Sequence, residues 1–154
     1  MEISDLISES AVIADLKVTS KKQALQELAT KAAQATDVGS RQVFDTLLER
    51  ERLGTTGIGN GVAIPHGRLP GLERPAGVFA RLKTPVDFEA IDGEPVDLIF
   101  LLLAPESAGA DHLKALARVS RLLRDRSMCE KLRGSDGGAA LFALLTENAN
   151  QRAA

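Results

Sequence analysis

One of the two histidines in this chain of 154 residues stands between residues that restrain it closely. His66 follows Pro65 and precedes Gly67 in the stretch GNGVAIPHGR. Pro65 fixes its own φ and favours extended backbone at Ile64, so we expect residues 62–64 to form a strand that presents His66 at its C-terminal edge. Gly67 has no side chain, which lets a ligand or a partner approach the backbone beside the imidazole.

Cations are available around this imidazole. Arg68 lies two residues further on, and Arg50 or Arg52 at the end of a predicted helix can converge on the same place. An imidazole with the ordinary pKa of about 6.5 is mostly neutral at cellular pH and offers a ring-nitrogen lone pair. A phosphoryl group accepted there carries up to about two negative charges, which guanidinium and backbone N–H groups stabilise. The pattern indicates phosphoryl acceptance on His66.

The second histidine, His112, falls at the predicted start of a helix. Unpaired N–H groups and the helix dipole favour an anion at such a position, so a phosphate fits between the two histidines. Other interpretations remain open for each of them. A histidine after a proline is also typical of a turn residue with satisfied hydrogen bonds, and His112 alone is typical of a solvated residue in a first helical turn.

Other chemistries fit the chain less well. The glycines 57, 59 and 61 precede a strand instead of opening a helix, which excludes a dinucleotide-binding fingerprint. Ser135 lacks the spacing of a nucleophile elbow and is more typical of a helix cap. The two histidines lack the H-x-x-x-H and H-E-x-x-H spacings, and Cys129 is the one cysteine. We therefore expect neither a metal nor a cofactor.

The composition limits the partners and the compartment. A net charge of −2 and an aromatic content of 3%, with no Trp or Tyr, offer nucleic acid neither an attractive field nor stacking surfaces. The longest apolar run, LIFLLLA, is too short to cross a bilayer, and the acidic start MEISDLISES does not resemble a secretory signal. A single cysteine forms no internal disulfide. We expect a cytoplasmic protein without nucleic-acid binding or membrane insertion.

Apolar periodicity predicts the elements that position these residues. Strands are predicted at residues 11–16, 62–64, 78–82 and 95–104, the last of them apolar enough to be buried on both faces. Helices are predicted after Thr19 or Ser20 as a cap, from a cap at Ser40 to a stop at Gly54, from Asp111, around residues 128–132, and after Ser135 or Asp136 as a cap. The order of elements predicts an α/β fold, a mixed central β-sheet sandwiched by helices on both faces in a single domain.

The stretch GIGNGVAIPHGR resembles the active-site signature of enzyme IIA domains of the bacterial phosphotransferase system, fructose/mannitol family. The stretches LLERERLGTTGIGNGVAIPHGRLPGL and PVDFEAIDGEPVDLIFLLLAPESAGADHLKALARVSRLLRD are similar to the nitrogen-regulatory branch of that family. The resemblance covers nearly the whole chain, most specifically residues 47–125. It implies that residues 1–154 form one enzyme IIA type-2 domain with a mixed sheet between helices.

The resemblance also implies roles for particular residues. The phosphohistidine falls on His66, at the nitrogen remote from the backbone, while Arg50 matches the supporting arginine and His112 the second active-site histidine. Gly67 and Arg68 are expected beside the phosphate. The donor is a histidine phosphocarrier protein, itself charged by an enzyme that uses phosphoenolpyruvate. Target proteins are bound according to the phosphorylation state; the sequence does not identify them, and potassium-transport and kinase components are candidates.

Two other functions stay open at this point. Sugar-specific relatives pass the phosphoryl group to a transporter domain and so to a sugar. The sequence shows no fused transporter segment, which is compatible with a free regulator as well as with a separate sugar-specific chain. A third candidate is a binding or sensor domain in which the histidines hold an anion or a metal without transfer. The sequence leaves open whether the chain pairs with itself.

Overall fold

The computed structural model describes residues 2–153, with side chains described for residues 2–146. In this range the α-helices are α1 (Ile3–Leu6), α2 (Lys21–Thr36), α3 (Ser40–Arg52), α4 (Ala110–Arg124), α5 (Arg126–Gly134) and α6 (Gly138–Ala153). The strands are β1 (Val12–Leu16), β2 (Gly57–Gly59), β3 (Val62–Ala63), β4 (His66–Leu69), β5 (Ala76–Val86) and β6 (Val96–Pro105). A 3₁₀ turn at Glu9–Ala11 leads into β1.

The strands form one mixed sheet in the order β1-β5-β6-β3-β2, and β4 also pairs with β6. β5 lies antiparallel to one edge of β6, while β3 and then β4 lie parallel along the other edge. Val62 stands opposite Leu98, and His66 stands opposite Leu102. The register therefore places His66 beside the second half of the central strand.

The predicted central strand is β6, and it is buried on both faces. Every residue from 98 to 104 is at most 1% exposed, and successive side chains of a strand point to opposite faces. The helices form two packing groups, α2 with α3 on one side, and α1, α4, α5 and α6 on the other. The predicted α/β fold with a mixed sheet between helices is confirmed. Among the described residues, no helix combines the length and hydrophobicity needed to cross a bilayer.

The two long N-terminal helices begin differently. The Ser20 hydroxyl accepts the N–H of Gln23 at 3.1 Å, which confirms the predicted cap of α2. The predicted cap of α3 was wrong, because Ser40 is the first helical residue and Gly39 occupies the N-cap position without a side-chain hydrogen bond. The helix itself, which carries Arg50 in its last turn, is present as predicted.

The predicted cap of the last helix was also wrong. α6 begins at Gly138, so neither Ser135 nor Asp136 stands at its N-cap. The Ser135 hydroxyl instead donates to the Leu132 carbonyl at the end of α5, at 3.1 Å. Arg81 of β5 is buried there and donates to the carbonyls of Leu132 and Ser135 at 2.9 and 2.6 Å. α5 extends further than the sequence indicated, and Ser135 is therefore the C-cap residue of α5.

A tight hairpin joins β2 to β3. Asn60 and Gly61 both have positive φ, 57° and 79°, as a type I′ turn requires. A Cβ on Gly61 would lie 2.5 Å from Nη2 of Arg133, so any other residue would strain the positive φ and displace the Arg133 guanidinium. The Arg133 guanidinium donates to the Asn60 carbonyl at 2.9 Å and to both oxygens of Asp97. These hydrogen bonds attach the hairpin to α5 and to the start of β6. They also fix the chain segment that leads from the hairpin to His66.

Candidate functional site

His66 is the first residue of a strand. β3 ends at Ala63, and the Pro65 carbonyl then accepts the N–H of Leu102 at 2.9 Å, so the chain stays on β6 through the proline. Proline lacks an N–H, but its carbonyl can still pair. β3 therefore ends before Pro65, as predicted, with His66 just beyond its C-terminal end. The sequence did not indicate that His66 opens a further strand. His66 begins β4, and its backbone is held in register by the central strand.

The ring of His66 is held by its own backbone. The half-buried imidazole has Nδ1 at 2.8 Å from the carbonyl oxygen of Ile64. Because a carbonyl oxygen only accepts hydrogen bonds, Nδ1 carries the ring proton and donates it. The other nitrogen, Nε2, is then unprotonated in the neutral ring and keeps its lone pair for a nucleophilic attack. Sequence reasoning missed Ile64, since a backbone carbonyl gives no side-chain signal.

His112 stands in the first turn of α4, as predicted, and is 6% exposed. Its ring centroid lies 5.9 Å from that of His66, with the planes inclined at 46°. Burial lowers the pKa of His112, and the nearby His66 and Arg68 lower it further. Among the described side chains, Nδ1 of His112 is buried without a hydrogen-bond partner. His112 is therefore not a solvated helix residue, and its unpaired nitrogen needs a partner from outside the described side chains.

Arg68 and Gly67 are successive residues of β4 and therefore lie on opposite faces of this strand. Arg68 lies two residues after His66, so both side chains project from the same face, and its charge acts on His112. Gly67 faces α3, where an added Cβ would lie 2.8 Å from Cγ2 of Thr46. Glycine at this position therefore lets α3 pack directly on β4. The sequence did not indicate this packing role.

Arg50 lies in the last turn of α3, partly buried. It follows Thr46 by four residues and so shares the helix side that meets Gly67. Its Nη1 donates to the Gly54 carbonyl at 2.9 Å. Within residues 2–146, no hydrogen bond or ion pair joins Arg50 to either histidine. The structure brings the two histidines and Arg68 together, and it holds Arg50 on the neighbouring helix.

The site offers a nucleophile and positive charge to an anion. His66, whose Nε2 keeps its lone pair, has the buried ring of His112 at 5.9 Å between ring centroids, and the charge of the exposed Arg68 is near enough to act on that second ring. A phosphoryl group bound there meets groups that attract its oxygens, and a nitrogen that can attack its phosphorus. In the part of the chain whose side chains are described, no group of three or more His, Cys, Asp or Glu residues is arranged to hold a metal ion.

Comparisons with known proteins relate this chain to the phosphotransferase system. Residues 5–148 match the family model described as Phosphoenolpyruvate-dependent sugar phosphotransferase system, EIIA 2. A nitrogen regulatory protein of Bradyrhizobium diazoefficiens is 61% identical over 145 residues, which cover 94% of this chain and 95% of that protein. A PTS system fructose-specific EIIA component of Haloferax volcanii is 37% identical over 128 residues, 82% of this chain and 83% of that protein. The crystal structure of nitrogen regulatory protein IIA-Ntr from Neisseria meningitidis has a similar fold, with a TM-score of 0.89, 38% identity, and coverage of 94% of this chain and 99% of that one.

Proposed function

The chain belongs to the EIIA 2 family of the phosphoenolpyruvate-dependent sugar phosphotransferase system, and from this premise we propose that it accepts a phosphoryl group on His66 from a histidine phosphocarrier protein. In this step Nε2 of His66 bonds to phosphorus while the bond from phosphorus to the donor imidazole breaks. The electron pair of the broken bond returns to the donor nitrogen. The observation that carries the proposal is the hydrogen bond from Nδ1 of His66 to the Ile64 carbonyl, which leaves Nε2 with a free lone pair.

The surrounding groups stabilise the charges that transfer creates. Attack by Nε2 puts positive charge on the ring, and the Nδ1–H bond to the Ile64 carbonyl stabilises it. The pKa of His112 is lowered, so its ring is mainly neutral at pH 7 and carries one N–H, which can donate a hydrogen bond to a phosphoryl oxygen. Arg68 attracts the remaining negative charge, and the family resemblance adds Arg50 as a further cation, although in this structure its side chain donates to the Gly54 carbonyl. Transfer between two imidazoles then depends mainly on their mutual orientation.

We propose a regulatory role for the phosphorylated and unphosphorylated forms. The similarity to nitrogen regulatory proteins supports this role. A phosphoryl group adds up to about two negative charges next to the exposed Arg68, which changes the surface that a target protein meets. A sugar-specific role is the second candidate, because the fructose-specific relative is also similar over most of its length. In either case we place the reaction in the cytoplasm, where a free thiol such as that of Cys129 stays reduced.

Two incubations test these proposals. The purified chain is first incubated with phosphoenolpyruvate, enzyme I and the histidine phosphocarrier, and we expect one acid-labile phosphoryl group per chain. No uptake, from donors that phosphorylate another enzyme IIA, contradicts the proposal and favours an anion-binding domain. The phosphorylated chain is then mixed with fructose-type or mannitol-type transporter domains and their sugars. Retention of the phosphoryl group supports regulation, whereas loss with one sugar supports the sugar-specific role.

A further inference from the structure

Glu51, in the last turn of α3, carries a buried carboxylate. The side chain of Glu51 is 4% exposed. Its Oε1 accepts from Nζ of Lys21 at 2.9 Å and from the N–H of Thr56 at 3.0 Å, and its Oε2 accepts from the Thr56 hydroxyl at 2.5 Å. Lys21 balances the charge, and the three donors satisfy the carboxylate, so the burial of this group is compensated. Glu51 therefore fixes Thr56 through both its backbone and its side chain.

Thr56 connects this carboxylate to the phosphoryl acceptor. The Thr56 carbonyl accepts the N–H of Ile64 at 3.0 Å. The Ile64 carbonyl in turn accepts Nδ1–H of His66 at 2.8 Å. Glu51 thus reaches the His66 ring through two residues, by hydrogen bonds no longer than 3.0 Å.

We propose that Glu51 is a positioning residue for His66 that acts through Thr56 and Ile64. This inference rests on the proposed phosphoryl acceptance by His66. A fixed Thr56 keeps Ile64 in place, and the aligned Ile64 carbonyl holds the ring in the tautomer whose Nε2 is unprotonated. When Thr56 is released, the ring samples other orientations and the second tautomer, and the fraction of rings ready to attack falls. Small errors of orientation slow group transfer strongly.

A side chain from the same helix end supports this reading. Arg50 donates to the Gly54 carbonyl at 2.9 Å, so Glu51 and its neighbour both hold the segment of residues 54–56. Thr55 fastens this segment on its other side, because its hydroxyl donates to the Phe88 carbonyl at 2.8 Å. The segment is thus held from two directions, as a support for the Ile64 carbonyl requires. Sequence reasoning had no signal for it, since a helix-terminal glutamate between arginines is typical of a solvated residue.

A matched pair of variants at Thr56 tests the inference. Thr56→Val removes the hydroxyl at nearly constant shape, whereas Thr56→Ser keeps it, and Glu51→Gln removes the charge. The ¹⁵N shifts of the His66 ring, measured without any donor, report its tautomer. We expect Thr56→Val and Glu51→Gln to lose the pure Nδ1–H signature and to lower kcat for phosphoryl acceptance by roughly tenfold to a hundredfold. KM for the phosphocarrier should stay within roughly twofold of the wild-type value. Thr56→Ser should keep the wild-type ring shifts and the wild-type kcat.

Wild-type ring shifts and wild-type kcat in folded Thr56→Val would overturn the inference. Lower thermal stability with unchanged ring shifts would overturn it too, because it would show a structural role alone. If Glu51→Gln does not fold, the Thr56 pair decides. The ring shifts are measured without a donor, so they test Glu51 separately from phosphoryl acceptance. A wild-type chain that takes up no phosphoryl group would refute the proposed function, while the shifts would still decide whether Glu51 positions the ring.

Discussion

The imidazole rings of His66 and His112 lie beside each other, with centroids 5.9 Å apart and planes inclined at 46°, one from strand β4 and the other from helix α4. Their surroundings differ in a way that separates their roles. Nδ1 of His66 is bonded to a carbonyl, which fixes the proton and frees Nε2. Nδ1 of His112 is buried and unpaired among the described residues, and burial lowers the pKa of its ring. These differences support the proposed roles, His66 as the phosphoryl acceptor and His112 as a group that contacts the phosphoryl oxygens.

We expect His112 to titrate below the ordinary histidine value of 6.5, because burial lowers its pKa and the charges of His66 and Arg68 add to the effect. The unfolded chain then binds a proton at this residue more readily than the folded chain. The stability that His112 contributes is present above the unfolded pKa and is lost as the pH falls through the lower, folded pKa. An NMR titration checks the pKa, and thermal unfolding between pH 8 and pH 5 checks the stability. A pKa at or above the ordinary value would contradict the burial argument.

Arg68→Ala should raise the pKa of His112 towards its ordinary value, because an exposed positive charge near the ring is removed. The free energy of unfolding should change by no more than about 0.5 kcal/mol, since the side chain is exposed. Arg74→Ala, which removes an exposed arginine from the following loop, serves as the control and should leave the titration of His112 unchanged. An identical NMR titration curve in the Arg68 variant would show that its charge does not act on the ring.

Arg50→Ala should slow phosphoryl acceptance by at least about tenfold if Arg50 has the supporting role proposed for it, because the cation proposed to stabilise the transferred group is removed. It should lower the free energy of unfolding by no more than about 1 kcal/mol, the contribution of one hydrogen bond to the Gly54 carbonyl. Arg52→Ala is the matched control, an exposed arginine in the same last turn. Rapid-quench kinetics and thermal unfolding separate the two effects. A large loss of stability with unchanged transfer would assign Arg50 to the fold.

Gly67→Ala should lower the free energy of unfolding by about 1–3 kcal/mol, because the new Cβ would lie 2.8 Å from Cγ2 of Thr46 and force α3 away from β4. Thr46→Ser removes that methyl group and should recover most of the loss in the double variant. Thr46→Ser alone is the control for the methyl deletion. Chemical denaturation of the four proteins forms a double-mutant cycle. Additive effects of the two substitutions would contradict direct packing at this position.

The sequence predicted the central strand and the helix layers, because these depend on local signals. It also singled out the two histidines that the structure places side by side. Apolar periodicity marks α2 and α4, and the unbroken apolar run marks β6. The short strands β2 and β4 were not predicted, since β4 carries the sequence HGRL, and its pairing with β6 uses backbone groups. The Asn60–Gly61 pair is a common hairpin signal that could have placed the β2–β3 turn.

The tertiary contacts of the site could not be predicted from the sequence. The packing of Thr46 on Gly67 and the hydrogen bond from His66 to the Ile64 carbonyl depend on how α3, β3 and β4 meet in space. The buried state of Glu51 is likewise set by Lys21, which comes from a different helix. A sequence pattern shows which residues can do chemistry, whereas the tautomer and the support behind it follow from the fold.

Intact-mass measurement on the wild type, His66→Ala and His112→Gln tests the central claim most directly. Each protein is incubated with phosphoenolpyruvate, enzyme I and the histidine phosphocarrier, and is measured before and after mild acid treatment. We predict one acid-labile phosphoryl adduct on the wild type, none on the His66 variant, and slower formation of the same adduct on the His112 variant. An adduct on His66→Ala that forms as fast as on the wild type would contradict the assignment of His66 as the phosphoryl acceptor.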